Sequence, residues 1–320
     1  MTGVDDLAWA DASPEDEMLL DEIFCLTFVK AVDDTEVLRR MGALPDSVAT
    51  RTPADLDRLD NFDDGYPTMA STLRLASWTV VVERSGFQGA ELLPALSHET
   101  EAVCVLRHDY ASHTFAYAAA GELITQFDPF FPAQRYGADP DRLLSRMLDV
   151  GFAMDDDGFD HNFDGAITRS LRLAEEVTGV LPTLEALTGP LTSARIEPWF
   201  SDAPKPPATR PGHDSPVDPV AEVRRLTDLH GLNDTPGLAE ALRAAERATP
   251  VVVTPDSPLG QHVRTWLTES RRAGRSANDH NARHRMTDTE RRRAFDLGWL
   301  AVALGAALQP SSRSMRPDAD

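Results

Sequence analysis

The chain has 320 residues, of which 42% are hydrophobic and 26% are charged. These values are typical of a soluble globular protein that is long enough for two domains. The first 17 residues contain neither a basic segment nor an apolar one, and no apolar run reaches the roughly 20 residues of a membrane-spanning helix. We therefore expect a cytoplasmic protein without a secretory signal or a membrane segment.

The net charge of −21 is concentrated in the first half of the chain. Residues 1–160 contain 11 Lys+Arg against 31 Asp+Glu, or −20, and residues 161–320 contain 20 against 21, or −1. Such an acidic half repels nucleic acid and attracts basic protein surfaces, although charge of this kind also serves solubility alone. Only Lys30 and Lys205 are lysine, which together with abundant Ala, Asp and Pro indicates a high-GC bacterial genome.

The two cysteines lie inside apolar segments. Cys25 belongs to FCLTFV and Cys104 to AVCVL. Their even number permits a disulfide, but a reducing cytoplasm favours two buried free thiols.

Helices are predicted at the start of the chain. Apolar residues form a broad stripe at helical spacing over residues 18–32. Asp33 with Glu36 three positions later has the spacing of a capping box, and Thr52 with Pro53 predicts another helix start.

The period of the pattern then changes to that of strands. Short β-branched or aromatic runs occupy residues 78–84, 102–108, 114–120 and 122–127. Ala120-Gly121 predicts a tight hairpin between the last two runs. Three helices follow over residues 139–151, 165–179 and 182–189, the first with Asp139 as its N-cap and Pro140 at its first position. The pattern predicts an α+β domain over residues 1–195, an antiparallel meander sheet flanked by helices.

Seven prolines between residues 196 and 219 predict a semi-extended linker. A mostly helical C-terminal region follows over residues 220–310, with a disordered tail over 311–320. Thr287 and Glu290 form a second capping-box pattern, and residues 250–254, PVVVT, read as a short strand. The predicted helices of this region span residues 218–231, 235–248, 257–274 and 287–308.

Three pieces of the first half together resemble an actinobacterial family of unknown function, number 6461. They are FCLTFVKAVDDTEVLRRMGA, then WTVVVERSGFQGA leading through FDPFFPAQRYGADPDRL, and finally LRLAEEVTGVLPTLEAL. The resemblance covers roughly residues 20–190 and implies a bacterial origin and a single fold unit rather than a particular chemistry. Where the family has glycine after VK, this chain has Ala31.

The stretch DHNFDGAI, residues 160–167, matches the first eight positions of a calcium-binding EF-hand loop. The bidentate glutamate required at position 12 is replaced by Leu171, and the preceding residues read as a loop rather than an entering helix. We expect Asp164 to cap a helix that begins near Gly165 instead.

HNARH, from His280 to His284, has zinc-peptidase spacing but lacks the glutamate base. We therefore predict no metal and no cofactor.

No nucleophile elbow, phosphate loop or dinucleotide fingerprint occurs in the sequence. The leading hypothesis is therefore a non-catalytic protein-interaction module, an immunity or regulatory protein that binds a basic partner. The alternative is an enzyme of unknown reaction whose polar groups lie in the loops of the sheet. The residues that this alternative would use are Glu83, His108, Asp109, His113, Asp128 and Arg135.

Residues 264–293 carry nine arginines against four acids. This basic stretch could dock on the acidic half or on a partner protein, form an ordinary solvated surface, or, as the least favoured reading, contact nucleic acid. The candidate partner-binding residues are Arg271, Arg272, Arg275, Arg291, Arg292 and Arg293.

Overall fold

The computed structural model describes residues 4–12, 20, 22–154, 159–205, 207–209, 216–278 and 286–309. The chain forms two compact units. Unit 1 comprises Met1–Asp57 and Thr68–Ala203, and unit 2 comprises Arg58–Pro67 and Pro204–Asp320. A ten-residue segment from the first half of the sequence thus belongs with the C-terminal helices.

Unit 1 is built on a nine-stranded antiparallel sheet with the order β2-β9-β3-β4-β1-β5-β6-β7-β8. The prediction of an α+β protein with an antiparallel sheet and a helical C-terminal region is confirmed. The strands are β1 (Ile23–Lys30), β2 (Ala49–Arg51), β3 (Met69–Leu75), β4 (Trp78–Arg84), β5 (Glu101–His108), β6 (Thr114–Ala119), β7 (Glu122–Phe127), β8 (Arg135–Tyr136) and β9 (Leu191–Arg195).

The helix predicted over residues 18–32 is wrong, because Ile23–Lys30 forms the central strand β1. The sheet is covered on both faces, so both sets of alternating side chains on β1 are buried. Phe24, Leu26 and Phe28 lie in one core, and Cys25 and Val29 lie in the other. A strand buried on both sides is apolar throughout and therefore satisfies a helical stripe as well as a strand pattern. After β1, Ala31 has the left-handed backbone (φ 54°) that favours glycine.

The predicted hairpin is confirmed. β6 and β7 are joined by Ala120 and Gly121, whose φ angles of 51° and 85° are both positive. Two positive φ values match the right-handed twist of the paired strands. This turn sets the pairing of Ala119 with Glu122, and a bulge between Tyr117 and Ala118 shifts the register further along the two strands.

Eight α-helices are described in unit 1, together with 3-10 helices at Val4–Asp11, Pro45–Ser47 and Pro198–Phe200. Asp33 caps α1 as predicted, since its carboxylate accepts the backbone N–H of Glu36 at 2.8 Å. The start predicted at Asp139 is wrong: the backbone N–H of Asp139 bonds to Ile124 O of β7, and α5 begins at Leu144. The helices are α1 (Asp34–Arg40), α2 (Pro53–Leu59), which continues into unit 2, α3 (Gln88–Glu91), α4 (Leu93–Leu96), α5 (Leu144–Asp149), α6 (Phe159–Phe163), α7 (Ala166–Thr178) and α8 (Leu184–Thr188).

The described part of unit 2 is helical. Thr287 and Glu290 form the predicted capping box, with both reciprocal bonds present. The strand predicted at residues 250–254 is wrong, because this segment has no regular structure and Val252 is 86% exposed. The helices are α9 (Pro219–His230), α10 (Leu238–Glu246), α11 (Pro258–Asn278) and α12 (Asp288–Leu308). Among the described residues, no helix combines the length and apolar character needed to cross a membrane.

Candidate functional site

A groove with a volume of about 620 Å³ lies on one face of the sheet, beside α3 and α4. The two helices cover the neighbouring strands but leave part of β5, β6 and β7 open. Apolar side chains dominate the lining, and the polar groups are Glu91, His108, Ser112, Thr114 and Gln126. The remaining lining residues are Phe87, Ala90, Pro94, Leu106, Ala111 and Leu123.

Two polar residues define the chemistry of the groove. Glu91 is exposed at its rim, and partial burial against the apolar wall raises the pKa of its carboxyl group. His108 stands at the end of β5, and its Nδ1 atom is buried without a hydrogen-bond partner among the described residues. No intramolecular hydrogen bond through Nδ1 therefore fixes the orientation of the His108 ring.

Glu83 lies behind the wall that α3 forms and is fully buried. Its carboxylate accepts the backbone N–H groups of Gln88 at 2.9 Å and Gly89 at 2.7 Å. Burial raises the pKa of Glu83 to about 7, although these two amides and the Cys25 thiol favour the ionised form. Glu83 therefore anchors the segment that carries Phe87, Ala90 and Glu91 to β4.

Cys25 and Cys104 lie next to Glu83 and are both fully buried and free, as predicted. Their Sγ atoms are 3.3 Å apart, and Cys25 stands opposite Glu83 in the register of β1 and β4. The hydrogen bond with Cys104, followed by burial, raises the pKa of the Cys25 thiol well above its usual range. The two thiols fill the space beneath α3.

Of the six residues proposed for an enzyme, only His108 lines the groove and only Glu83 lies beneath its wall. Arg107 holds Asp109 through two hydrogen bonds of 2.7 and 2.8 Å. His113 is buried, its Nδ1 accepts the His108 backbone N–H, and burial lowers the pKa of its ring.

The other two candidates are also engaged in bonds within the chain. Asp128 accepts the backbone N–H of Phe130 at 2.9 Å, and Arg135 donates to Asp141 and to Pro132 O. The six side chains do not converge on one reacting position. The groove residue Glu91 was missed from the sequence.

Residues 1–190 match the family of unknown function DUF6461. The chain belongs to this family. No curated protein and no solved structure matches the chain. The groove, Glu83 and the calcium-like stretch all lie inside the DUF6461 region, whereas the basic stretch lies beyond it.

The calcium-like stretch of the DUF6461 region has a different structure from the one predicted. Asp164 does not cap α7: the N-cap is Gly165, with φ 70° and no side-chain hydrogen bond. Asp11, from an N-terminal 3-10 helix, instead accepts the backbone N–H groups of Ile167 at 2.9 Å and Thr168 at 2.8 Å. Sequence spacing could not reveal a cap supplied from more than 150 residues away.

The other elements of that stretch serve packing. Residues 159–163 form the short helix α6, whereas residues 155–158 of the preceding segment, predicted as a loop, lie outside the described residues. Asn162 exchanges two hydrogen bonds with the backbone of Ala153, and Leu171 is fully buried in a core. In the part of the chain that the structure describes, no His, Cys, Asp or Glu side chains come together as metal ligands. His280 and His284 lie outside the described residues.

The candidate arginines beyond the DUF6461 region differ in their surroundings. Arg272 donates from Nε to Phe62 O at 2.8 Å, and its guanidinium lies 5.4 Å from the Phe62 ring centroid. Arg271 reaches Gly65 O, and Arg275 lies over the Tyr66 ring. These three arginines of α11 therefore hold residues 62–66 in unit 2. Arg291 pairs with Asp288 on α12, while Arg292 and Arg293 are exposed.

Replacing Arg272 by alanine is expected to lower the free energy of unfolding of unit 2 by roughly 2 kcal/mol, because the carbonyls of Phe62 and Asp63 lose their donor and Phe62 loses its cation contact. Hydrogen exchange of the backbone amides in residues 58–67 measures the effect. Arg292→Ala, at an exposed position, is the matched control and should change stability by less than about 0.5 kcal/mol. Equal exchange in the two variants would contradict this role of Arg272.

Proposed function

We propose that the chain is a non-catalytic interaction module, an immunity or regulatory protein, whose unit 1 binds a basic protein partner. The distribution of charge between the two units carries this proposal. Unit 1 contains 13 Lys+Arg against 34 Asp+Glu, so its net charge is −21, and unit 2 contains 18 of each and is neutral. The entire excess of acid thus belongs to one unit.

Charge of this size has a defined effect on association. A strongly negative surface attracts basic partners over several ångströms and accelerates their encounter, and the attraction weakens as salt screens it. A requirement for solubility alone does not account for an excess confined to one unit. This segregation of charge therefore favours binding of the basic partner by unit 1. Unit 2 contributes no net charge.

The alternative of an enzyme has less support from the described side chains. A catalytic site needs a base or nucleophile within hydrogen-bond reach of a bound substrate. Glu83 is screened from the groove by α3, and Asp109, Asp128 and Arg135 are held by bonds within the chain. The groove is better suited to binding than to catalysis.

We also place the protein in the cytoplasm of an actinobacterium. The free thiols of Cys25 and Cys104 support a reducing compartment, and the use of only two lysines among 31 basic residues supports the bacterial origin.

The proposal is tested by titrating the isotope-labelled full-length chain with a deca-arginine peptide and, in parallel, with a deca-glutamate peptide. We expect deca-arginine to shift backbone amide resonances of unit 1, with an affinity that falls at least about ten-fold between 50 and 300 mM salt. Deca-glutamate should not bind. The neutral unit 2 is the internal control. Shifts spread evenly over both units, or no binding at low salt, would overturn the proposal.

A further inference from the structure

Among the described residues that line it, the groove of unit 1 has one acidic side chain and no basic one. Its lining contains no Lys or Arg, and Glu91 has no ion pair with any residue that the structure describes. Other carboxylates of unit 1 have such partners. Examples of these ion-paired carboxylates are Glu36, Glu101, Asp109, Asp139, Asp141 and Asp202. Glu91 is thus an unneutralised acid beside an apolar surface.

A second carboxyl group, Glu83, lies behind α3 and is partly ionised near neutral pH. Burial, and to a smaller extent the charge of Glu91, raise the pKa of Glu83 to about 7. The two groups therefore interact across α3, where the charge of Glu91 makes ionisation of Glu83 less favourable. A cation in the groove would relieve this repulsion, so the electrostatics favour a positively charged ligand.

The apolar part of the groove restricts the shape of that cation. Leu106, Leu123 and Pro94 offer a surface for a hydrocarbon chain, and Phe87, 37% exposed, offers an aromatic ring near Glu91. A long side chain with an apolar stem and a charged end fits such a surface. Arginine fits better than lysine, because its planar guanidinium can stack on a ring and pair with a carboxylate at the same time.

We propose that this groove binds an arginine side chain presented by the basic partner, with its stem on the apolar floor and its guanidinium between Phe87 and Glu91. The proposal rests on the proposed function, since it gives the acidic unit a specific point of attachment. Two of the remaining polar lining groups, His108 and Gln126, can accept hydrogen bonds from a ligand that has five donors and no acceptor.

The test uses a single-residue probe, so that it does not depend on the overall charge of unit 1. The full-length chain is titrated with N-acetyl-arginine N′-methylamide and with the citrulline analogue, which has nearly the same shape and no charge. Chemical shifts of the groove amides report binding. We expect the arginine probe to bind at least about five-fold more tightly than the citrulline probe.

Two variants locate the interaction. Glu91→Gln should weaken the arginine probe about five-fold, and Ser112→Arg, which places a cation at the exposed rim, should abolish binding. Glu122→Gln removes a carboxylate of unit 1 from outside the lining and should leave the affinity unchanged. Equal affinity of Glu91→Gln and the native chain for the arginine probe would overturn the inference, as would equal binding of arginine and citrulline.

The outcome is separable from that of the proposed function. If deca-arginine binds unit 1 while the single-residue probe does not bind the groove, the inference is wrong and the general proposal stands. If the probe binds with the expected dependence on Glu91 but deca-arginine shows no preference for unit 1, the groove is a small-molecule site for guanidinium compounds and the proposed function is wrong.

Discussion

Replacing Gly89 by alanine is expected to lower the free energy of unfolding of unit 1 by roughly 3 kcal/mol. A Cβ atom at this position would lie 2.1 Å from Thr27 Oγ1 and 2.9 Å from Glu83 Oε2, both far inside van der Waals contact. Neither neighbour can withdraw easily, because Thr27 is a fully buried β-branched residue of the central strand. Either α3 lifts away from the sheet or the hydrogen bond from Gly89 to Glu83 is lost.

Hydrogen exchange of the amides in β1 and β4 measures this change, since it resolves unit 1 from unit 2. Gly274→Ala is the matched control: Gly274 lies inside α11 with no neighbour within 4 Å of the added atom, so alanine should stabilise unit 2 by about 1 kcal/mol. The cause is tested by adding Thr27→Ala, which removes the clashing hydroxyl. At least about 1 kcal/mol of coupling between the two substitutions is expected, and strict additivity would refute the contact as the cause.

The sequence predicted some features of the fold, but it could not predict others, such as the close packing at Gly89. Several local signals were interpreted correctly: the Ala120-Gly121 turn, the Thr287 capping box and the four C-terminal helices depend on residues close together in the chain. Such features are decided by backbone conformation and short-range hydrogen bonds, which a sequence displays directly.

Features that depend on tertiary pairing were misjudged or missed. β1 was taken for a helix because a sheet covered on both faces removes the alternation that identifies a strand. β3 and β9 were missed because the sequences MASTLRL and LTSAR are too polar to be recognised as strands, although Ser71 and Ser193 bond to each other when paired. Side-chain composition alone could not supply those partners.

In the candidate site, too, some residues were predicted from the sequence and others depend on tertiary packing. Glu83 and His108 were singled out from the sequence, and both lie at or behind the groove. Glu91 had no distinguishing neighbours in the sequence, because the groove forms only when α3 and α4 pack on the sheet beside the open part of β5, β6 and β7. Conversely, Asp109 and Asp128 looked reactive in a loop but are engaged by Arg107 and the backbone of Phe130. The register of the sheet determines which polar groups remain available.

Because of Glu83, the free energy of unfolding of unit 1 is expected to decrease as the pH rises. Burial raises its pKa in the folded protein to about 7, above the ordinary glutamate value of 4.5. The folded state therefore holds a proton that the unfolded state releases, and stability falls as pH rises from 4.5 to 7. A pKa difference of this size corresponds to roughly 3 kcal/mol of unfolding free energy. This contribution is fully present below pH 4.5 and is lost above pH 7.

Glu83→Gln should remove this dependence, because the amide stays neutral throughout. Near pH 5 the variant should be less stable than the native chain by about 1 kcal/mol, since an amide has one acceptor oxygen for the two backbone donors, Gln88 and Gly89. Near pH 8 the native chain carries a buried charge, and the variant should be the more stable by about 1–2 kcal/mol. The measured quantity is the difference in unfolding free energy between the two proteins, in which titrations common to both cancel.

The control for this experiment is Glu122→Gln, which removes an exposed carboxylate of the same unit and should differ from the native chain by less than about 0.5 kcal/mol at either pH. A difference between Glu83→Gln and the native chain that stays constant from pH 5 to pH 8 would show that Glu83 does not titrate in this range. The expected reversal of sign would instead establish that a buried carboxylate, ionising near neutral pH, holds the wall of the groove against the sheet.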